Sequence, residues 1–153
     1  MLSIRKLSYN LQDLKTDPIE RMELIYRRSS FLPDHILDGE KKEWIGKVYK
    51  TDGKFKVRRL ISGITGRVPS RVIIAGHKST DSNTFDIKLT PSIYFYINIL
   101  GVPIFLFFLF RTLEFSLIGD IIAGLIFIIY LLLFIIDLNN SENKIIDFLE
   151  RLK

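Results

Sequence analysis

Between positions 91 and 136 polar residues almost vanish. The run 91–110, PSIYFYINILGVPIFLFFLF, carries no charge, and the run 115–136, FSLIGDIIAGLIFIIYLLLFII, carries one, Asp120. A helix crosses the hydrocarbon core of a bilayer in about 20 predominantly apolar residues. Both runs are long enough, and the RTLE step between them leaves room only for a tight return. The pattern predicts a transmembrane helical hairpin over 91–136, with spans at 91–110 and 115–136.

Ahead of the hairpin the periodicity shortens. Residues 1–10, MLSIRKLSYN, alternate weakly and suit an edge strand. Asp17-Pro18-Ile19-Glu20 reads as a helix start, with Asp17 as cap, Pro18 in the first turn and Glu20 three residues after the cap. That helix is expected to run to about 28, with Ile19, Met22, Ile25 and Tyr26 on one face. Residues 29–40 contain Pro33 and Gly39 and read as loop. WIGKVYK (44–50) and FKVRRLI (55–61) flank Thr51-Asp52-Gly53, a strong hairpin signal. Gly63-Ile-Thr-Gly66 marks a break. RVPSRVIIAGH (67–77) reads as a third strand region interrupted near Pro69, and residues 78–83 as a polar turn. TFDIKL (84–89) alternates and runs almost directly into Pro91. The expected soluble part is a small antiparallel β-meander with one N-terminal helix, held close to the membrane because no flexible linker intervenes.

After 136, Asp137-Leu-Asn-Asn140 looks like a polar break. Residues 141–153 then place Ile145, Ile146, Phe148, Leu149 and Leu152 on one stripe, with Ser141 as cap. This predicts a short amphipathic helix, free to lie on the membrane, dock on the β domain or pair with another subunit. The expected fold class is membrane α+β. It divides into a basic domain (1–90), a helical hairpin (91–136) and an amphipathic tail (137–153).

Charge refines this layout. Residues 1–91 hold 18 Lys or Arg against 11 Asp or Glu, a net of +7, and the remainder holds 4 against 6, a net of −2. Basic segments beside spans tend to stay cytoplasmic, and two spans return the chain to its starting side. Both termini are therefore expected in the cytoplasm. The chain contains no cysteine, which excludes a disulfide framework and thiolate chemistry. The first thirty residues are charged throughout and offer no apolar core for a cleavable signal.

Within the hairpin, Asp120 lies five residues into the second run. A charge deep in a bilayer usually faces protein or water, which suggests a pore-lining, proton-linked or inter-helix group. At about 7–8 Å along the helix, the depth favours an interfacial, partly hydrated position. Gly119, Ala123 and Gly124 are small neighbours. Small-xxx-small spacing permits close helix approach, between subunits or against the hairpin's own first helix. Pro103 should kink or loosen the first span. Tyr94 and Tyr96 suit an interfacial belt, and Asn98 suits a hydrogen bond between helices.

No constellation for catalysis emerges. Gly76 and Lys78 are separated by His77, which breaks the phosphate-loop pattern. His35 and His77 have no partner at metal-ligand spacing. Ser79, His77 and Asp81 can be written as a triad, but sequence adjacency carries no geometry. Asn139-Asn140-Ser141 is a formal glycosylation sequon, silent in the cytoplasm. No catalytic residue, metal or cofactor is expected. The basic residues of the meander carry more weight. They include Lys41, Lys42, Lys47, Lys50, Lys54, Lys56, Arg58, Arg59, Arg67 and Arg71. Alternation puts Lys54, Lys56 and Arg58 on one face and Phe55, Val57 and Arg59 on the other. Lys54, Lys56, Arg58, Arg59, Arg67 and Arg71 are the candidate contacts to anionic lipid headgroups. A solvated face explains the charge equally well, and nucleic acid is disfavoured because no recognition motif accompanies it.

The order Phe55-Lys-Val-Arg-Arg59, the Gly-rich step, Arg71-Val-Ile-Ile-Ala-Gly76 and Phe85-Asp-Ile-Lys-Leu-Thr-Pro91 before an aromatic-rich span resembles small bacterial two-span membrane proteins. Those carry a short β domain ahead of the hairpin. The resemblance covers about 54–153 and departs at the membrane entry, where Ser-Ile-Tyr follows Pro91. It implies this architecture and a bacterial inner membrane, and no catalytic residues. The expected function is a membrane-anchored interaction or adaptor module, its basic β domain at the lipid surface, with a protein partner or a second copy. The alternatives are an oligomeric pore-forming or membrane-disrupting effector and a membrane immunity protein against a bacterial toxin.

Overall fold

The computed structural model describes residues 4–28, 43–63, 66–79, 82–112 and 116–153. The expected loop at 29–40, Lys41, Lys42, Asp81 and residues 113–115 of the return between the apolar helices lie outside them.

The β elements are β1 (Arg5–Asn10), β2 (Tyr26–Arg28), β3 (Trp44–Tyr49), β4 (Lys54–Gly63), β5 (Gly66–Pro69), β6 (Val72–Ser79) and β7 (Thr84–Pro91). They form one sheet in the order β1-β7-β6-β4-β3-β2, with β5 paired to β4 off this path. The meander β3-β4-β6-β7 is antiparallel as expected, and β1 closes one edge antiparallel to β7. Residues 26–28 depart from the helix expected there and pair parallel with β3. Gly53, with φ of 58°, turns the chain between β3 and β4, where a left-handed conformation suits only glycine well.

Helix α1 (Pro18–Ile25) begins where the sequence places it, with the Ile19 amide donating to Asp17 Oδ1 at 2.8 Å. Its Ile19 and Met22 are buried. On the same side of the sheet lie Phe55 and Val57 from β4, Val72 and Ile74 from β6, and Phe85, Ile87 and Leu89 from β7. Gly76 lets the Phe55 and Phe85 rings approach with centroids 5.8 Å apart, since a Cβ there would sit 2.6 Å from Phe55 Cζ.

β7 ends at Pro91, and after Ser92 the chain enters α2 (Ile93–Tyr96), a π-helical turn (Ile97–Gly101) and α3 (Val102–Thr112). The loosening expected at Pro103 takes the form of that π-helical turn. A proline has no N–H for the carbonyl four residues earlier, and the wider turn relieves the ring clash there.

Helix α4 (Ser116–Glu150) corrects the expected layout. It is continuous over 35 residues, and Asp137-Leu-Asn-Asn140 does not interrupt it. The segment contains neither Gly nor Pro, and its polar groups find tertiary partners instead of bending the backbone. The tail is thus the end of the second apolar helix. Of the three placements open to it, the structure has it docked on the β domain. Phe134, Leu138, Ile145, Phe148, Leu149 and Leu152 join the same core cluster as the sheet. Burial of each such side chain contributes roughly 1.5–3 kcal/mol before ordering costs.

Among the described residues two helices are long and apolar enough to cross a membrane: Ile93–Thr112, with a mean hydropathy of 2.2, and Gly119–Glu150, with 2.9. Their apolar side chains are largely uncovered, with Phe105, Phe108 and Leu117 at 66%, 63% and 74% exposure.

Candidate functional site

Three features merit weighing: the junction between apolar helices and sheet, the outer face of the sheet, and the polar position within α4.

The junction converges on Arg71. Its backbone N–H donates to Asp137 Oδ2 at 2.7 Å, and its carbonyl accepts from the Ser92 amide at 2.7 Å. One peptide segment therefore fixes both the start of the first apolar helix and the middle of α4. Asp137 is 3% exposed and also faces the Arg59 guanidinium at 3.4 Å, with Ser141 Oγ at 3.5 Å. A buried carboxylate needs such partners, because an unpaired charge there is costly. Around this node, Phe95 stacks on Phe134 with centroids 4.0 Å apart. Arg5 of β1 pairs with Glu142 and donates to Asn139 Oδ1 at 2.8 Å. The Lys15 amide donates to the Leu152 carbonyl at 2.7 Å.

The outer face is set by the register. Lys47 lies opposite Lys56, Lys56 opposite Ala75, Ala75 opposite Lys88 and Lys88 opposite Lys6. These four lysines are exposed and form a single row across five strands. Two residues toward the apolar helices on β4, Arg58 lies with its guanidinium carbon 5.5 Å from the centroid of the Tyr94 ring. Burial lowers the Arg58 pKa from its ordinary value, opposed by Tyr94. Two residues in the other direction the row is Tyr49, Lys54, His77, Asp86 and Ser8. There each basic side chain has a carboxylate beside it. Lys54 pairs with Asp52 at 2.5 Å, which holds the Asp52 carboxyl below the usual range, and His77 lies 3.9 Å from Asp86.

Of the sequence-derived basic residues, Lys54, Lys56 and Arg58 share this outer face. Arg59 points inward to Asp137, and Arg71 acts at the junction through its backbone. Arg67 lies on β5, with its side chain outside the described part. Lys6, Lys88, Asp137 and Ser141 were not singled out as site residues by the sequence.

Within the apolar helices, Gly119 is buried against α3, where a Cβ would overlap Phe110 Cβ. Ala123 is buried beside it on the same face. Asp120 is exposed, and so is Gly124, with open space around it. The four residues therefore split between a face packed inside the hairpin and a face turned outward.

Elsewhere, a cleft of about 400 Å³ between α1, β3 and the end of α4 is lined by Arg21, Glu43, Trp44, Lys144, Asp147 and Arg151, among others. Its charges are mixed, with Lys144 3.9 Å from Glu43, and select no ligand class. Ser79 Oγ accepts from Ser82 Oγ at 2.9 Å and His77 lies 3.9 Å from Asp86, while Asp81 of the written triad lies outside the described residues. No group of three metal-ligating side chains occurs among them either. No protein-family model, curated protein or solved structure matches the chain. The resemblance to two-span bacterial proteins accordingly rests on the motifs in residues 54–153.

Proposed function

We propose that the chain is a membrane-anchored interaction module. A two-helix hairpin spans the bilayer and holds the small β domain at its cytoplasmic surface, where a protein partner engages it. The supporting observation is the uncovered apolar surface of α3 and of the first part of α4, next to a sheet domain whose core the end of α4 completes. A soluble monomer rarely leaves contiguous apolar patches beyond a few hundred Å² uncovered, whereas a bilayer accepts them. The continuity of α4 gives the module its mechanical character, because the domain cannot swing away from the hairpin without breaking the Asp137 node. Both termini lie on the positively charged, cytoplasmic side.

Membrane fractionation tests the anchor and crosslinking tests the module. The full chain is expected to resist alkaline extraction and to capture a specific partner on crosslinking in mild detergent. Extraction by alkali, or repeated crosslinking that captures nothing, contradicts the reading.

A second reading draws on the outward position of Asp120 and Gly124: several hairpins associate through that face into a pore. It predicts conductance in reconstituted bilayers, altered by Asp120→Asn. Silent bilayers eliminate it.

A further inference from the structure

The lysine row deepens the membrane reading and rests on it. Lys47 and Lys56 are directly cross-strand neighbours, and so are Lys88 and Lys6. Like charges in that relation destabilise a sheet. Among the described residues none of these four lysines has an ion-pair partner, whereas Lys50, Lys54, Lys78 and Lys144 each have one. The fold therefore carries two uncompensated like-charge pairs on one face. Ala75, with no long side chain, separates them. With strands about 4.8 Å apart, the two pairs are centred roughly 14 Å from one another.

Their level on the sheet identifies the occupant. Lys56 is one strand repeat, about 7 Å, beyond Arg58. Arg58 itself lies over Tyr94, in the first turn of the first apolar helix. Tyrosines at such positions mark the headgroup level, and the headgroup layer adds about 5–8 Å to each side of the hydrocarbon core. Lysine stems are long enough to bring their ammonium groups back across one strand repeat. A row across the strands also keeps the four lysines level with one another, as a planar layer of charge requires. On the far side of the row Asp52 pairs with Lys54 and Asp86 adds a carboxylate beside His77, so the uncompensated positive charge is concentrated toward the apolar helices.

We propose that the two pairs, Lys47 with Lys56 and Lys6 with Lys88, are two subsites for the phosphate groups of anionic lipids. Each pair brackets one headgroup. The occupant is the bilayer that holds the hairpin, not a soluble polyanion.

Native mass spectrometry of the full chain in detergent, titrated with phosphatidylglycerol, tests this. Two phosphatidylglycerol molecules are expected to be retained, and phosphatidylcholine is not. Lys47→Gln with Lys56→Gln should leave one, and adding Lys6→Gln and Lys88→Gln should leave none. Each single Gln substitution should weaken retention about 5-fold, the equivalent of about 1 kcal/mol per basic residue. The substituted proteins should unfold at slightly higher denaturant, because like-charge repulsion is removed as lipid is lost. Retention that survives all four substitutions, or equal retention of phosphatidylcholine, overturns the proposal. So does displacement of both lipids by inorganic phosphate or a short single-stranded oligonucleotide at lower concentration than the lipid. The same samples separate the two levels of the argument. A chain that stays in solution without detergent refutes the membrane reading, whereas a chain that needs detergent yet holds no phosphatidylglycerol refutes only the subsites.

Discussion

Replacing Asp137 by alanine should loosen α4 from the sheet about as strongly as removing a large apolar side chain there. The carboxylate is 3% exposed and serves the Arg71 amide at 2.7 Å and the Arg59 guanidinium at 3.4 Å. Alanine leaves Arg59 half-buried and without its carboxylate, with its Nε already lacking a hydrogen-bond partner among the described residues, and orphans the Arg71 N–H. Breaking a buried charge pair costs about 3–5 kcal/mol, out of a typical total stability of about 5–15 kcal/mol. The chain's single tryptophan, Trp44, is 3% exposed in the same core and reports unfolding of the β domain while the hairpin stays in detergent. Urea titration of Trp44 emission should therefore show Asp137→Ala losing about 3–5 kcal/mol. Asp137→Asn keeps an acceptor for the Arg71 amide and should lose less. Arg59→Met combined with Asp137→Leu should recover part of the loss, because an apolar pair leaves no buried charge. An Asp137→Ala protein within about 1 kcal/mol of wild type would refute the node as the link between helix and sheet.

Four further outcomes follow from the geometry. Gly119→Leu should force α3 from α4 through its clash with Phe110, and lower the detergent concentration at which cysteine pairs across the two helices stop crosslinking. Gly124→Ala, in open space, should instead stabilise α4 by up to about 1 kcal/mol, read as the loss temperature of its helical circular dichroism. Leu149→Ala, at a fully buried site, should cost about 2–5 kcal/mol by the Trp44 assay. Asp52 has its pKa lowered by Lys54, so its contribution is present above its ordinary value of 3.8 and is lost as pH falls through the depressed one. Asp52→Asn should flatten that part of the acid unfolding curve. The group is fully exposed, so the change is small.

The elements set by local chemistry were legible in the residues. The Asp17 cap, the turn at Gly53, the interruption after Pro69 and the two apolar runs each depend on neighbours in sequence, and each is where the pattern puts it. Tyr26 to Arg28 continue the helical spacing of α1 in sequence, but their pairing with β3 is decided by partners eighteen residues away. The lysine row was half visible for the same reason. Lys47 and Lys56 lie on either side of one turn, whereas Lys6 meets Lys88 across the length of the domain. The supposed break at Asp137 is instructive. Read alone, Asp-Leu-Asn-Asn is turn chemistry. Yet Phe134, Leu138, Ser141 and Ile145 continue the three-and-four spacing through it, and that stripe was the available signal that the helix does not stop. The buried role of Asp137 itself needs Arg59 and Arg71, and no local pattern supplies them.

The most direct test of the account is the distance along α4 between spin labels at Ile128 and Lys144, in the full chain reconstituted in lipid discs. The chain has no cysteine of its own to interfere. An unbroken helix from bilayer to β core predicts a narrow distribution centred near 24 Å, sixteen residues at about 1.5 Å each. A broad or markedly shorter distribution would mean that the helix parts at 137–140, and that hairpin and domain are not one rigid body.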